Sequence, residues 1–171
     1  MKKQLFLLRH AKSSWDDPSL ADHDRPLSKR GRKAAAVIRQ WLRQEGIGPD
    51  LVYVSGALRT RQTLAALEPG DKAPEVEVRE DLYLASAPQM IALLGEAPKA
   101  ARAILVIGHN PGLQELAVLL AGEDTENALA GRMAEAFPTG ALAAFEIDGP
   151  WARIGAGAGK PVVFVKPREL K

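Results

Sequence analysis

Residues 5–10 read Leu-Phe-Leu-Leu-Arg-His, an unbroken apolar run that ends abruptly in two basic side chains. A short run without polar alternation is typical of a β-strand that is covered on both faces. Two further runs of this form occupy residues 51–54 and 103–107. The sequence therefore predicts a sheet whose central strands are buried on both sides.

Helical periodicity separates these strands. From Ser28 to about Glu45 the apolar residues form one stripe that ends near Gly46, namely Ala34, Val37, Ile38, Trp41 and Leu42. A second helix, capped by Ser55, should run to about residue 67 and be closed by Pro69-Gly70-Asp71. A third covers about residues 88–94. A fourth should start with Asn110 as its cap and Pro111 as its first residue, and its stripe is Leu113, Leu116, Ala117 and Leu120.

The remaining strand signals complete the fold prediction. A weaker strand lies near residues 76–78, and the last third of the chain suggests strands at 142–147, 151–154 and 162–165. Strands that alternate with helices indicate a parallel sheet between two helical layers, and the strand-rich end indicates an antiparallel edge. We therefore predict an α/β fold, a three-layer α/β/α sandwich with a mostly parallel sheet and antiparallel C-terminal edge strands.

Composition sets limits on the class of protein. A length of 171 residues predicts one domain over residues 1–171, and 46% hydrophobic residues argue against wholesale disorder. The absence of cysteine excludes disulfides, a thiol nucleophile and thiolate metal sites. The short apolar run after Met1 is too brief for a signal peptide or a membrane span, so we expect a soluble, cytoplasmic protein.

Two features could suggest nucleotide or nucleic-acid binding. Residues 155–160 are glycine-rich and end in lysine, but Ile154 stands where a phosphate loop begins with glycine and Pro161 where it needs Ser or Thr. We interpret them as a turn between edge strands. The balance of 23 basic and 21 acidic residues, with nine scattered aromatic residues, does not favour nucleic acid as a partner.

Basic and polar side chains follow each of the three buried runs. Arg9 and His10 follow the first, Ser55 and then Arg59 follow the second, and His109 with Asn110 follow the third. Any of these alone could be a solvated or structural group, as we expect for the neighbouring Arg61. The carboxyl ends of parallel strands meet at one edge of a sheet, where helix N-termini also point. Together these residues predict a site for a compact anion, with phosphoryl as the first candidate.

These motifs resemble those of a known family. Leu8-Arg9-His10-Ala11 is similar to the Arg-His-Gly signature of the histidine phosphatase superfamily, which includes the cofactor-dependent phosphoglycerate mutases. Residues 55–63 and 108–111 resemble its second and third motifs. The short chain, residues 25–28 and residues 137–141 resemble the SixA-type branch of phosphohistidine phosphatases. Two departures stand out, since Ala11 replaces a glycine and Gly56 stands where proline is common.

The resemblance implies a phosphoglycerate mutase-like fold and a mechanism. His10 would attack phosphorus and become phosphohistidine, while Arg9, Arg59 and His109 hold the phosphoryl oxygens. Arg25, Ser55, Asn110 and Lys12 are the further candidates for substrate binding. The basic side chains would supply the charge that a divalent ion otherwise brings, so no metal or cofactor is expected.

The proton donor stays open among four carboxyl groups. Larger members of the family carry an acid near the place of Glu80 and Asp81, and Asp22 and Asp24 are a second option. A phosphohistidine substrate leaves as imidazole, whose conjugate acid has a pKa of ~6.5, so a dedicated acid matters less than for an alkyl phosphoester.

The resemblance also suggests the partner. The chain has little room for covering insertions, so we expect an open site that admits a phosphorylated protein, such as a histidine phosphotransfer domain or a phosphocarrier. We expect a monomer or weak dimer that binds no membrane. The alternatives are a broad-specificity phosphomonoesterase of the same fold and a non-catalytic phosphoprotein-binding module.

Overall fold

A computed structural model describes residues 2–68, 73–123 and 126–170. Its sheet has six strands in the order β3-β2-β4-β1-β5-β6. The strands are β1 (Lys3–Arg9), β2 (Leu51–Ser55), β3 (Glu75–Arg79), β4 (Ala103–Gly108), β5 (Leu142–Ile147) and β6 (Gly159–Val165). The pairs β1–β4, β2–β4 and β2–β3 are parallel, whereas β5 runs antiparallel to both β1 and β6. This is the predicted parallel sheet with an antiparallel C-terminal edge.

Five α-helices in the described part of the chain cover the sheet. They are α1 (Lys29–Gln44), α2 (Leu58–Leu67), α3 (Ala87–Gly95), α4 (Gly112–Ala121) and α5 (Ala128–Glu135). Alternate residues of β1 face opposite layers, since Leu5 and Leu7 pack with side chains of α3 and α4, and Phe6 and Leu8 pack with side chains of α1 and α2. Burial on both faces explains the unbroken apolar runs, and the three-layer α/β/α prediction is confirmed.

Helix starts differ locally from the predictions. The predicted cap at Ser55 is wrong, because Ser55 is the last residue of β2 and α2 begins at Leu58 after Ala57. Helix α4 begins at Gly112, one residue later than predicted, and Asn110 Oδ1 still accepts a hydrogen bond from the Gln114 amide of its first turn. The predicted cap of α1 is confirmed, since the Ser28 hydroxyl accepts from the Gly31 amide at 3.0 Å.

The C-terminal third contains the larger differences. Trp151–Arg153 is a short 3₁₀ helix and not part of a strand. The Trp151 ring is buried and its Nε1 donates to the Ala101 carbonyl at 2.8 Å, so a single anchored aromatic produced the strand-like apolar signal. Helix α5 was not predicted from the sequence. The glycine-rich residues 155–158 lead directly into β6, where a phosphate loop would need a helix. The predicted turn at residues 69–71 lies outside the described residues.

No helix in the described part of the chain combines the length and apolar character that a membrane span requires.

Candidate active site

A pocket of about 400 Å³ opens where the carboxyl ends of β1, β2 and β4 meet. The parallel register places Arg9 beside Gly108, so the residues that follow β1 and β4 are neighbours. The pocket is lined by Arg9, His10, Lys12, Ser13, Trp15, Arg25, Arg59, Leu84, His109, Asn110 and Thr139. Seven of the eight residues predicted to react with or bind the anion are in this wall, and Ser55 is the exception.

His10 is 6% exposed and its ring has a defined orientation. Nδ1 lies 2.7 Å from the Ala11 carbonyl, which can only accept, so Nδ1 carries the proton and Nε2 is unprotonated. Arg59 Nε donates to the lone pair of Nε2 at 3.4 Å. Burial lowers the pKa of His10 to about 4, and the charges of Arg59 and Arg9 add to the shift. The imidazole is therefore neutral near pH 7.

The turn that carries His10 is fixed by α2. The Ala11 amide donates to the Thr63 hydroxyl at 3.1 Å, and that hydroxyl donates to the Arg59 carbonyl at 2.7 Å. Ala11 is fully buried. These contacts connect the backbone after His10 to the helix that carries Arg59, so both side chains are positioned by one hydrogen-bonded unit.

Arg59 is buried and connects four groups. Its Nη1 donates to the Asp22 carbonyl at 2.7 Å and its Nη2 donates to Asp22 Oδ2 at 3.0 Å. Nη2 also lies 3.4 Å from His109 Nδ1, and Nε faces His10. A guanidinium held at several atoms loses little freedom when it binds an anion.

Asp22 is the common acceptor of the two arginines. Its Oδ1 accepts from Arg25 Nε at 3.2 Å and Nη2 at 3.1 Å, while Oδ2 accepts from Arg59 and from the Tyr83 hydroxyl. The hydrogen bond from Tyr83, with those from Arg59 and Arg25, lowers the pKa of Asp22 to about 2. The carboxyl group is thus ionised over the physiological range.

His109 is held in the opposite tautomer to His10. Arg59 Nη2 can only donate, so His109 Nδ1 accepts, and Nε2 donates to the Ser55 hydroxyl at 2.8 Å. Burial lowers the pKa of His109 to about 3, with a further contribution from His10. The two imidazole rings are 5.3 Å apart between centroids.

Ser55 does not line the pocket. It is fully buried at the end of β2, and its hydroxyl contacts Nε2 of His109, the ring nitrogen that does not face Arg59. Its hydroxyl also accepts from the Ala57 amide at 3.3 Å. The side chain therefore orients His109, in place of the predicted contact with substrate.

Arg9 has an incomplete set of hydrogen bonds. Its Nη1 donates to the Phe137 carbonyl at 3.0 Å, and Asn110 Nδ2 donates to the same oxygen at 2.9 Å. Within the described residues Arg9 Nε is a buried nitrogen without a hydrogen-bond partner. Burial, with the charge of Arg59, lowers the pKa of Arg9. An unpaired buried donor of this kind favours an incoming acceptor such as a phosphoryl oxygen.

Arg25 lines the pocket from the loop after β1. Its Nη1 donates to the Ser13 hydroxyl at 2.7 Å, and its guanidinium stacks 3.5 Å from the centre of the Trp15 ring. Lys12 and Asn110 also belong to the wall.

None of the four candidate proton donors is in the pocket wall. Asp22 is held ionised by its partners. Asp24 is exposed beside His23, and Asp81 pairs with Arg79 at 2.7 Å, which lowers its pKa. Glu80 Oε2 accepts a hydrogen bond from His23 Nε2 at 2.9 Å on the surface.

Gly56 makes room for Glu80. A Cβ at position 56 would lie 1.6 Å from Glu80 Oε1, so the carboxylate occupies the space that a side chain would need. The departure from the family pattern at Gly56 is therefore coupled to the position of Glu80.

Four residues of the site had no sequence prediction, namely Ser13, Trp15, Tyr83 and Leu84. Tyr83 reaches Asp22 and its ring lies 5.4 Å from that of His109, whereas Trp15 and Leu84 line the pocket from two separate loops. None of these positions directly follows a buried strand or lies in a quoted motif, so the sequence carried no signal for them. Among the described residues, no group of three or more His, Cys, Asp or Glu side chains could hold a metal ion.

Comparison with known proteins agrees with this geometry. The sequence model of the histidine phosphatase superfamily (branch 1) matches residues 5–83. The chain belongs to the histidine phosphatase superfamily, in its SixA-type branch. It is a phosphatase, a hydrolase of phosphoryl groups, and its fold is phosphoglycerate mutase-like.

Individual relatives extend the match over nearly the whole chain. An uncharacterised protein of Mycobacterium tuberculosis is 39% identical over 94% of this chain and 100% of its own length. The phosphohistidine phosphatase SixA of Escherichia coli is 28% identical over 85% of this chain and 86% of its own. A solved structure assigned as the phosphohistidine phosphatase SixA of Nakamurella multipartitia superposes with a TM-score of 0.88 and 29% identity, covering 98% of this chain and 97% of that one.

Proposed function

We propose that the protein hydrolyses phosphohistidine in another protein, with His10 as the nucleophile. The observation that carries this proposal is the hydrogen bond from His10 Nδ1 to the Ala11 carbonyl at 2.7 Å. It leaves Nε2 unprotonated, with a lone pair that accepts a long hydrogen bond from Arg59 Nε at 3.4 Å. A pKa of about 4 keeps the ring unprotonated at neutral pH, which a nitrogen nucleophile requires.

In the first step His10 Nε2 attacks phosphorus in line. A new P–N bond forms on His10 while the P–N bond to the substrate breaks, and the substrate imidazole leaves with its bonding electron pair and takes up a proton. In the second step water attacks phosphorus. A P–O bond forms while the P–N bond to His10 breaks, Nε2 recovers its electron pair, and the proton of water leaves with the phosphate. The products are inorganic phosphate and His10 in its starting form.

The basic residues of the wall provide the charge for binding the phosphoryl group. Arg59 is held beside Nε2, and Arg9 offers an unpaired buried Nε. His109 Nδ1 accepts from Arg59 Nη2 in the unprotonated ring, so the contribution of His109 is to orient Arg59. Arg25, Lys12 and Asn110 are the outer contacts. Catalysis by such a site is mainly positioning and electrostatic stabilisation.

Among the described residues no carboxyl group lines the pocket wall, which favours a P–N substrate. An alkyl phosphoester leaves as a strongly basic alkoxide and needs a positioned acid, whereas imidazole has a conjugate acid of pKa ~6.5 and can leave protonated. Asp22, the candidate nearest the arginines, has a pKa of about 2 and is a poor proton donor. The name of the Escherichia coli relative supports the same substrate class. We propose a histidine phosphotransfer domain or phosphocarrier as the partner.

Quenched labelling tests the proposal. A carrier protein phosphorylated on histidine with radioactive phosphate is mixed with the enzyme, and the reaction is stopped in alkali. Wild type should show an acid-labile, alkali-stable phosphoenzyme, and turnover should be unaffected by a chelator. His10→Ala should carry no label and lose at least about 10³-fold in turnover, as expected for a nucleophile.

His23→Ala is the matched control, because His23 is a histidine outside the pocket wall. It should be labelled like wild type. Faster turnover of alkyl phosphoesters than of the phosphohistidine protein would indicate a broad-specificity phosphomonoesterase. Binding of the phosphoprotein without turnover or labelling would indicate a non-catalytic module.

A further inference from the structure

Two large apolar side chains lie exposed in the wall of a pocket that is otherwise mainly basic and polar. Trp15 is 74% exposed and Leu84 is 55% exposed, and both line the pocket beside His10 and Arg59. They come from separate parts of the chain, the loop after β1 and the loop after the 3₁₀ helix Glu80–Leu82. Exposed apolar side chains that converge on one pocket mark a contact with a ligand or partner.

Trp15 has one covered face. The Arg25 guanidinium lies 3.5 Å from the ring centre, and Arg25 is itself held by Asp22 and Ser13. Because most of the indole remains exposed, the rest of the ring is available to a second group. Because stacking on Arg25 already restricts the Trp15 ring, the ring loses little further conformational entropy when it binds a partner.

Leu84 adopts an unfavourable backbone conformation. Its φ is +51°, a left-handed conformation that side chains branched beyond Cβ rarely occupy. The turn keeps Leu82 and Ala85 buried on either side, and Tyr83 directed at Asp22, while Leu84 projects into solvent. Backbone strain that exposes an apolar side chain at a pocket is typical of a functional position.

We propose that Trp15 and Leu84 bind the histidine that carries the phosphoryl group, together with apolar side chains next to it on the partner protein. This inference rests on the proposed function. The basic residues at the base of the pocket complement the phosphoryl dianion, and the apolar rim complements the uncharged imidazole and its surroundings. Trp15 and Leu84 therefore determine specificity for a phosphoryl group on a protein side chain over small hydrophilic phosphates, which have no apolar surface for the rim.

The test compares two P–N substrates with and without a protein carrier. One is a carrier protein phosphorylated on histidine, and the other is phosphoramidate, which has the same bond to break and no imidazole. The measured quantity is the ratio of kcat/KM for the protein to kcat/KM for phosphoramidate. Trp15→Ala removes the aromatic contact, and Leu84→Asn removes the apolar side chain while keeping a residue that tolerates positive φ.

Each of the two variants should lower this ratio about tenfold, mainly through KM for the protein, as for a truncated contact residue at an interface. Trp15→Phe should retain most of the ratio, because it keeps an apolar ring over Arg25. Val162→Thr is the control, since Val162 is also exposed, at 39%, but lies on the edge strand β6 and outside the pocket wall. Its ratio should equal that of wild type.

An unchanged ratio in Trp15→Ala and Leu84→Asn would overturn the inference and leave the proposed function intact. The ratio is also unchanged if Trp15→Ala lowers kcat/KM equally for both substrates. That result would overturn the inference too, because it would mean that Trp15 acts only by orienting Arg25. If wild type hydrolyses phosphoramidate but not the phosphohistidine protein, the proposed function fails, and the inference fails with it.

Discussion

Arg59 is bonded twice to Asp22, from Nη1 to the backbone carbonyl at 2.7 Å and from Nη2 to the carboxylate at 3.0 Å. The same carboxylate accepts two hydrogen bonds from Arg25. Asp22 therefore fixes the positions of two pocket arginines, and its low pKa follows from these bonds and that of Tyr83. A carboxylate in this setting positions cations more readily than it delivers protons.

Asp22→Asn should accordingly impair phosphohistidine and phosphoester substrates alike. The amide keeps one acceptor oxygen but loses the charge, so both arginines are less well ordered. We expect kcat/KM to fall about tenfold on each substrate, which corresponds to about 1.4 kcal/mol of transition-state stabilisation. Steady-state kinetics with a phosphohistidine protein and an alkyl phosphate measure this.

Asp24→Asn is the control, because Asp24 is exposed and contacts neither arginine among the described contacts. Its kinetics should match wild type. A much larger loss on the alkyl phosphate than on phosphohistidine in Asp22→Asn would identify Asp22 as the proton donor after all.

The two buried imidazoles predict how stability depends on pH. The pKa of His10 is about 4 and that of His109 about 3, both below the ~6.5 of an exposed histidine. On unfolding each returns to its ordinary value, so the unfolded state binds more protons below about pH 6.5. The stabilisation is thus complete above that pH and is lost as the pH falls towards the folded pKa values.

Urea unfolding between about pH 7 and pH 5 should therefore show a falling free energy, by up to ~1.4 kcal/mol per pH unit for each histidine. In His109→Gln one of the two groups is removed, and glutamine can still donate to Ser55. The pH slope should then be clearly smaller than in wild type. Identical slopes would mean that His109 titrates normally in the folded protein.

The hydrogen bond between Ser55 and His109 gives a third expectation. In Ser55→Ala the buried Nε2–H of His109 loses its acceptor at 2.8 Å, and an unsatisfied buried donor costs about 1–3 kcal/mol. The ring is then free to change tautomer or rotate, so kcat/KM should fall about tenfold through kcat. Kinetics and the ¹⁵N chemical shifts of His109 report the two effects.

Asn127→Ala is a control of comparable stability loss, because Asn127 caps α5 and lies outside the pocket wall. It should keep the kinetics and the His109 shifts of wild type. If Ser55→Ala behaves in the same way, the role of Ser55 is limited to stability.

The central fold was predictable because burial on both faces leaves a strong pattern. β1, β2 and β4 each contain an unbroken apolar run, at residues 5–8, 51–54 and 103–107, and the residues that follow these runs meet at one edge of the sheet. Helix α5 left a weak pattern, since only Met133 of its eight residues is buried and Gly131 lies in its middle. Trp151 gave an apolar signal that came from one anchored ring and not from a strand.

The site was predictable only in part for a related reason. His10, Arg59 and His109 follow the buried strands, so the topology alone brings them together. Tyr83 and Trp15 reach the site through loop conformations and contacts between residues far apart in sequence. The burial of Ser55 behind His109 depends on side-chain packing that no local pattern encodes.

Two helical glycines should respond to alanine in opposite ways. At Gly31 in α1 a Cβ would lie 2.0 Å from the Lys12 carbonyl oxygen, a backbone atom that cannot move without shifting the turn after His10. At Gly131 in α5 a Cβ would meet no heavy atom within 4 Å. Gly31→Ala should therefore lower the free energy of unfolding by about 2 kcal/mol or more despite the better helix propensity of alanine. Gly131→Ala should raise it by about 0.5–1 kcal/mol. Urea unfolding of both variants measures the difference, and a stabilised Gly31→Ala would mean that α1 does not pack this closely on Lys12.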